Sequence, residues 1–68
     1  MNDETFNISL RKFLKMVGVN SQSEMEQAVG KAIAERRITG DETLPATMTL
    51  ECAGLQLKVI FDADVQLE

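Results

Sequence analysis

The stretch Thr47–Phe61, TMTLECAGLQLKVIF, decides the fold that we expect for this chain of 68 residues. Apolar and polar residues alternate along most of it, which is the period of a β-strand with one face in the core and the other in water. The dipeptide Ala53-Gly54 divides the run into two strands, at about residues 46–52 and 55–61. An antiparallel β-hairpin is therefore predicted for the C-terminal part of the chain.

The register of this hairpin follows from the requirement that apolar residues face one another. A loop of two or four residues pairs Leu50 with Leu57, whereas a three-residue loop pairs apolar with polar residues throughout. The same test applied to Asp62-Ala63-Asp64 favours a second turn there. We therefore expect a short third strand at residues 65–67.

Two helices are predicted before the hairpin, at about residues 3–17 and 22–37. Gly18 is suited to end the first helix, and Ser21-Gln22-Ser23-Glu24 has the form of a capping box that opens the second. Apolar residues recur at helical spacing in the first helix and share one side of it: Phe6, Leu10, Phe13, Leu14 and Val17.

These elements together predict an α+β fold of the order α-α-β-β(-β). In it, a two-helix hairpin packs on one face of a small antiparallel β-meander. A chain of this length makes one domain, residues 1–68. Its hydrophobic fraction of 44% is far above that of disordered chains, so we expect it to fold.

Composition also bears on the compartment. No run of about 18 apolar residues is present, and the first residues, Met1-Asn2-Asp3-Glu4, are acidic, so neither a membrane span nor a secretory signal is expected. A single cysteine cannot form an internal disulfide, which indicates a reducing compartment. The predicted location is the cytoplasm.

The residues that usually carry catalysis or hold metals are scarce. The chain has no histidine, and Cys52 lies on the predicted core face, where an inert buried thiol is expected. Two acidic pairs could in principle bind a cation, namely Asp41-Glu42 and Asp62 with Asp64. Both lack the glycine and the closing glutamate of a calcium loop, so we expect them to be solvated acidic residues in turns. We therefore predict no enzyme, no catalytic residue, no metal site and no cofactor.

Protein–protein contact is the expected mode of action, although the function itself stays unknown at this level. Arg11, Lys12 and Lys15 form a basic patch on the first helix, and Ile60 interrupts the polar face of the hairpin. These four are the candidate partner-binding residues. The predicted partner is a second copy of the chain, in a weak homodimer, or an unidentified protein.

The alternative is a nucleic-acid-binding module that uses the two helices as a helix-turn-helix-like pair. The second predicted helix would be the recognition helix and would present four side chains to the base edges: Gln22, Ser23, Glu26 and Gln27. The net charge of -4, and the carboxylates of Glu24 and Glu26 beside the phosphates, oppose this alternative. No nucleic acid is expected as a partner.

Several short segments of the sequence, and their order, are similar to those of a family of short bacterial proteins of unknown function. The chain is also similar to that family in length. The resemblance covers almost the whole chain. One departure is Asp62-Ala63-Asp64, where the family leads us to expect an Asp-Gly turn. The resemblance implies no activity or ligand. The segments that carry the resemblance are Thr5-Phe6-Asn7, Arg11-Lys12-Phe13-Leu14-Lys15, Val17-Gly18-Val19, Ser21-Gln22, Thr43-Leu44-Pro45-Ala46 and Thr49-Leu50.

Overall fold

A computed structural model describes all residues, 1–68. The chain divides into two units, Met1–Glu35 and Arg36–Glu68. The first unit is a helix and the second a β-hairpin, so the α+β class is confirmed. The elements in chain order are α1 (Asp3–Ala34), β1 (Thr43–Cys52), a 3-10 turn (Ala53–Leu55) and β2 (Leu57–Gln66).

Helix α1 begins where the sequence places a helix start. The side chain of Asn2 accepts a hydrogen bond from the backbone N–H of Thr5 at 3.0 Å, which satisfies one of the free donors of the first turn. Asp3 and Glu4 lie in that turn, and Lys31 lies in the last one. Both signs of charge suit the helix dipole.

The predicted two-helix hairpin is wrong, because α1 continues through Gly18 and Ser21 without a break. Gly18 does not have the positive φ of a helix-ending glycine. A glycine inside a helix costs only about 1 kcal/mol relative to alanine, while each further helical residue adds a backbone hydrogen bond. The signal at Gly18 is therefore too weak to end the helix.

The predicted capping box is not used either. Inside α1, the side chain of Gln22 donates to the Glu26 carboxylate at 2.8 Å, and that of Gln27 donates to the Ser23 hydroxyl at 3.0 Å. These contacts join residues four apart, on adjacent turns of one helix. The polar residues that resemble a cap thus act as helix-surface pairs.

The hairpin has an even loop, as predicted, but its register differs by two residues. Leu50 faces Val59, and not Leu57. Four residues, 53–56, lie outside the ladder, and the last of them, Gln56, has the left-handed angles φ 52° and ψ 38°. The turn is closed by the Gln56 N–H, which donates to the Ala53 carbonyl at 3.0 Å.

The predicted second turn and third strand are wrong as well. Ala63 faces Ala46 within the ladder, and β2 continues to Gln66, which faces Thr43. Strand β1 begins three residues earlier than predicted, so the end of β2 has a partner strand to pair with. The sheet therefore has two strands and is not a meander.

Burial in the chain is slight. Ala32 is the only buried residue, with 8% of its surface exposed. Within the first unit, the single helix has no second layer to cover its apolar side, and within the second, the two-stranded sheet has none to cover its apolar face. Neither unit has a core of its own.

Candidate functional site

One face of the hairpin is entirely apolar. The register turns every second residue of both strands to that face, because side chains alternate along a strand. We call this set the hairpin apolar face. Its members on β1 are Leu44, Ala46, Met48, Leu50 and Cys52, which lie opposite Val65, Ala63, Phe61, Val59 and Leu57 of β2.

Much of the hairpin apolar face is open to solvent. Phe61 is 57% exposed and Met48 46%, and these two residues lie opposite one another. Leu44, Leu50 and Val65 are half-buried. A lone two-stranded hairpin is marginally stable in water, so this face needs a second layer.

A second apolar surface runs along α1. Its large side chains are also exposed, with Phe6 at 49% and Phe13 at 45%. Small residues, among them Ala28 and Ala32, continue it toward the C-terminal end of the helix, and two polar residues, Ser21 and Glu24, interrupt it, since Glu24 lies five turns after Phe6 on the same side. We call it the helix stripe. Its members are Phe6, Leu10, Phe13, Leu14, Val17, Ser21, Met25, Ala28 and Ala32.

The four predicted partner-binding residues are all exposed. Arg11, Lys12 and Lys15 lie within two turns of α1. Ile60 is 56% exposed on the polar face of the hairpin, opposite Thr49. The three basic residues and Ile60 belong to different units of the chain. Sequence reasoning found these four positions but missed the larger exposure of the helix stripe and the hairpin apolar face.

The expectation of a buried thiol at Cys52 is wrong, because this cysteine is free and exposed. Its position in the alternation was correct, since it belongs to the hairpin apolar face opposite Leu57. The error concerns only whether another layer covers this apolar face. The pattern of a strand identifies the apolar side, but it does not say whether another layer lies on that side.

The turn before β1 is built around Glu42. Its carboxylate accepts hydrogen bonds from the backbone N–H groups of Thr39 and Gly40, both at 2.9 Å, and from the Thr39 hydroxyl at 3.2 Å. These bonds, led by the one from Thr39 N–H, lower the pKa of Glu42 from 4.5 to about 2. Gly40 has φ 107°, which favours glycine. The geometry is that of a structural turn. The Glu42 carboxylate accepts hydrogen bonds within this turn, whereas the sequence predicts a solvated carboxylate.

Neither a metal-binding cluster nor a membrane helix is found. No group of three or more Cys, Asp or Glu side chains is placed to hold a metal ion. No helix of the chain is both long and apolar enough to cross a membrane. The helix-turn-helix-like pair behind the nucleic-acid alternative is absent, because α1 is one helix. The open apolar surfaces remain as the main candidate site.

Comparison with known families tests the resemblance noted above. The family of unknown function DUF6494 matches residues 1–68, the whole chain. The chain belongs to the DUF6494 family. The expected membership of a family of unknown function is thereby confirmed. No curated protein and no solved structure matches the chain.

For this DUF6494 chain, the surfaces must therefore be interpreted from their own chemistry. Both are apolar, both are exposed, and each lies on a regular element that holds its side chains in a fixed row. Large exposed apolar patches are typical of interaction sites in folded proteins. Chemistry of this kind suits contact with another apolar surface.

Proposed function

We propose that this DUF6494 chain is a protein–protein interaction module of the cytoplasm and not an enzyme. The observation that supports the proposal is the exposure of the large apolar side chains of the helix stripe and the hairpin apolar face, while Ala32 alone is buried. Monomeric proteins rarely leave large apolar patches open to water. A partner chain that covers these rows completes the fold.

The energetics favour a partner strongly. Burying one Leu, Phe or Met side chain contributes about 1.5–3 kcal/mol, and the chain has many such side chains exposed. Proteins of this size have only about 5–15 kcal/mol of net stability. Burial of a few of these side chains against a partner is therefore comparable to the whole stability of a small domain.

The inventory of reactive groups supports a role in binding. The chain has no histidine, and its one cysteine lies in an apolar row. The carboxylate of Glu42 accepts hydrogen bonds from Thr39 and Gly40 and holds its own turn. The single cysteine and the absence of any long apolar helix are the features behind the cytoplasmic location.

A dye that fluoresces on exposed apolar surfaces, such as anilinonaphthalene sulfonate, tests the proposal. We expect strong fluorescence from the purified chain when it is dilute and dissociated. Phe61→Lys, in the hairpin apolar face, should lower the signal, whereas Thr47→Lys, on the polar face, should not. A dilute chain that unfolds cooperatively and binds no dye would contradict the proposal, because its apolar rows would then be covered without a partner.

A further inference from the structure

We infer that β2 pairs along its outer edge with β2 of a second copy, in antiparallel orientation, with Ile60 at the two-fold axis. This inference rests on the proposed function and names the partner as the same chain. It concerns the hairpin unit alone. Three observations carry it: the direction of the backbone groups of β2, the position of Pro45 on the other strand and the order of the charges around Ile60.

The outer edge of β2 presents backbone N–H and C=O groups to which no neighbouring strand is paired. Just beyond the ladder, the Leu67 N–H donates to the Glu42 carbonyl at 3.0 Å, so the backbone of Leu67 is directed toward β1. This direction alternates along an antiparallel strand, so every second residue of β2 faces outward. The sheet has no third strand beside them. The outward residues are Lys58, Ile60, Asp62, Asp64 and Gln66.

Pro45 distinguishes the two edges of the sheet. It lies opposite the outward residue Asp64, so its own backbone faces the outer edge of β1. Proline has no backbone N–H and keeps another strand from adding to an edge. Strand β2 has no proline, so its edge is the open one. When two copies pair through β2, both outer edges of the new sheet are edges of β1, and the assembly closes at two copies.

The charges on the edge of β2 match those of a second copy. An antiparallel pair with its two-fold axis at Ile60 places Lys58 of each copy opposite Asp62 of the other. Cross-strand pairs of opposite charge stabilise a sheet. Lys58 then lies between two carboxylates, because Glu51 already faces it within the hairpin. Edge charges that would hinder another strand are therefore neutralised by the chain's own β2.

The same axis gives Ile60 a partner. Ile60 is 56% exposed on the polar face of the hairpin, and at the axis it packs against Ile60 of the second copy. On the other face, Val59 of one copy lies opposite Phe61 of the other, so the two hairpin apolar faces join across four strands. A four-stranded sheet with one apolar face is more stable than a lone hairpin.

Neighbouring registers lose one of these matches. An axis at residue 58 or 62 sets a charge against itself, and an axis at residue 59 sets Lys58 against Ile60. An axis at residue 61 pairs Lys58 with Asp64. That register sets Ile60 against the Asp62 carboxylate and leaves an apolar residue beside a charge. Among these registers, only the axis at Ile60 matches the charged and the apolar residues together.

A matched pair of variants tests the edge. Ile60→Lys puts two like charges at the two-fold axis, and Thr49→Lys puts the same charge directly opposite Ile60 in the hairpin, on β1. In sedimentation velocity between roughly 10 and 500 μM, a range that spans weak dimers, we expect Ile60→Lys to raise the dissociation constant by at least about tenfold. Thr49→Lys should leave it nearly unchanged.

A second pair of variants tests the register. Asp62→Lys replaces the attraction to Lys58 of the second copy by a repulsion. Asp64→Lys makes the same change of charge beyond the paired run, level with the turn residue Gln56. We expect Asp62→Lys to raise the dissociation constant about fivefold more than Asp64→Lys does. The opposite order would place the axis at residue 61 and overturn the inference.

Disulfide cross-linking tests the same geometry without adding charge. In a Cys52→Ser background, the Cα atoms of two Ile60→Cys sites at the axis lie about 5.5 Å apart, within reach of a disulfide. Two Thr49→Cys sites are separated by three strand spacings, about 14 Å, which is out of reach. Oxidation should therefore link Ile60→Cys chains much faster than Thr49→Cys chains. Equal rates would contradict the pairing.

The outcomes separate this inference from the proposed function. A dimer that Ile60→Lys does not weaken, or a wild-type chain that stays monomeric throughout, overturns the edge pairing. If that monomer binds the dye, the interaction module survives with a different partner. If it binds none and unfolds cooperatively, the proposed function fails too.

Discussion

Leu50 lies directly opposite Val59 in the hairpin, and this pair sets the register that turns all the apolar residues of both strands to one face. The neighbouring pair, Glu51 opposite Lys58, falls on the other face and joins opposite charges. A slip of one residue would mix the two faces. The hairpin is therefore well specified by its own side chains, although nothing in its own unit covers its apolar face.

The continuity of α1 predicts that Gly18→Ala stabilises the chain. Gly18 is helical, and a Cβ added to it meets nothing within 4 Å. Alanine in a helix interior is favoured over glycine, so we expect the free energy of unfolding to rise by about 1 kcal/mol. Urea unfolding followed by far-UV circular dichroism measures the change.

Two other glycines serve as controls for this substitution. Gly30→Ala should stabilise to a similar extent, because its Cβ position is also open. Gly40→Ala should destabilise, because alanine is strained at φ 107°. If Gly18→Ala behaves like Gly40→Ala, the helix ends at Gly18 and the single-helix account is wrong.

The turn at Glu42 predicts a loss of stability in acid. The pKa of Glu42 is about 2 in the folded chain, below its usual 4.5, because Thr39 and Gly40 donate to the carboxylate. A lowered folded-state pKa stabilises the fold above pH 4.5, and this contribution is lost as the pH falls from 4.5 through 2. The amide signals of Thr39 and Gly40 in an NMR titration should report the loss.

A comparison of two variants isolates that effect. Glu42→Gln removes the ionisable acceptor and should flatten this part of the pH dependence, while Glu51→Gln, in the ladder opposite Lys58, should keep it. If the Thr39 and Gly40 signals shift only near pH 4.5, the carboxylate is not held as the structure has it.

Cys52 is predicted to react readily and to matter little for stability. Its side chain is exposed, so a bulky thiol reagent should modify the dilute, dissociated chain at nearly the rate of a free peptide thiol. Cys52→Ala and Cys52→Ser should each change the free energy of unfolding by less than about 0.5 kcal/mol, as surface substitutions usually do. Strong protection from the reagent, or a large loss in Cys52→Ser alone, would mean that the hairpin apolar face is covered.

The sequence predicts the faces of the elements better than their ends. The alternation in residues 47–61 correctly indicates a hairpin with an even loop and apolar residues opposite one another. The exact register depends on Gln56 taking a left-handed conformation, and glutamine carries no signal for that. Gly54, in the dipeptide that divides the two strands, does not have a positive φ.

The predicted ends of helices and strands are wrong where the local sequence signal is weaker than the regular structure on both sides of it. Gly18 and the capping-box form after it read as a helix boundary, but both are tolerated inside one long helix. Asp62 and Asp64 read as turn acids, but both lie on the polar face of β2, where carboxylates remain solvated. Exposure was the hardest property to predict, because it depends on which layers cover a face and not on the face itself.

The central claim is that the apolar surfaces of this chain are covered by another chain, and a second copy is the first partner to test. The most direct measurement is the midpoint temperature of unfolding as a function of protein concentration. A dimer that dissociates on unfolding should gain on the order of 10 °C over a hundredfold rise in concentration, because mass action favours the assembled state. A cooperative transition whose midpoint stays the same over that range would contradict the claim of self-association.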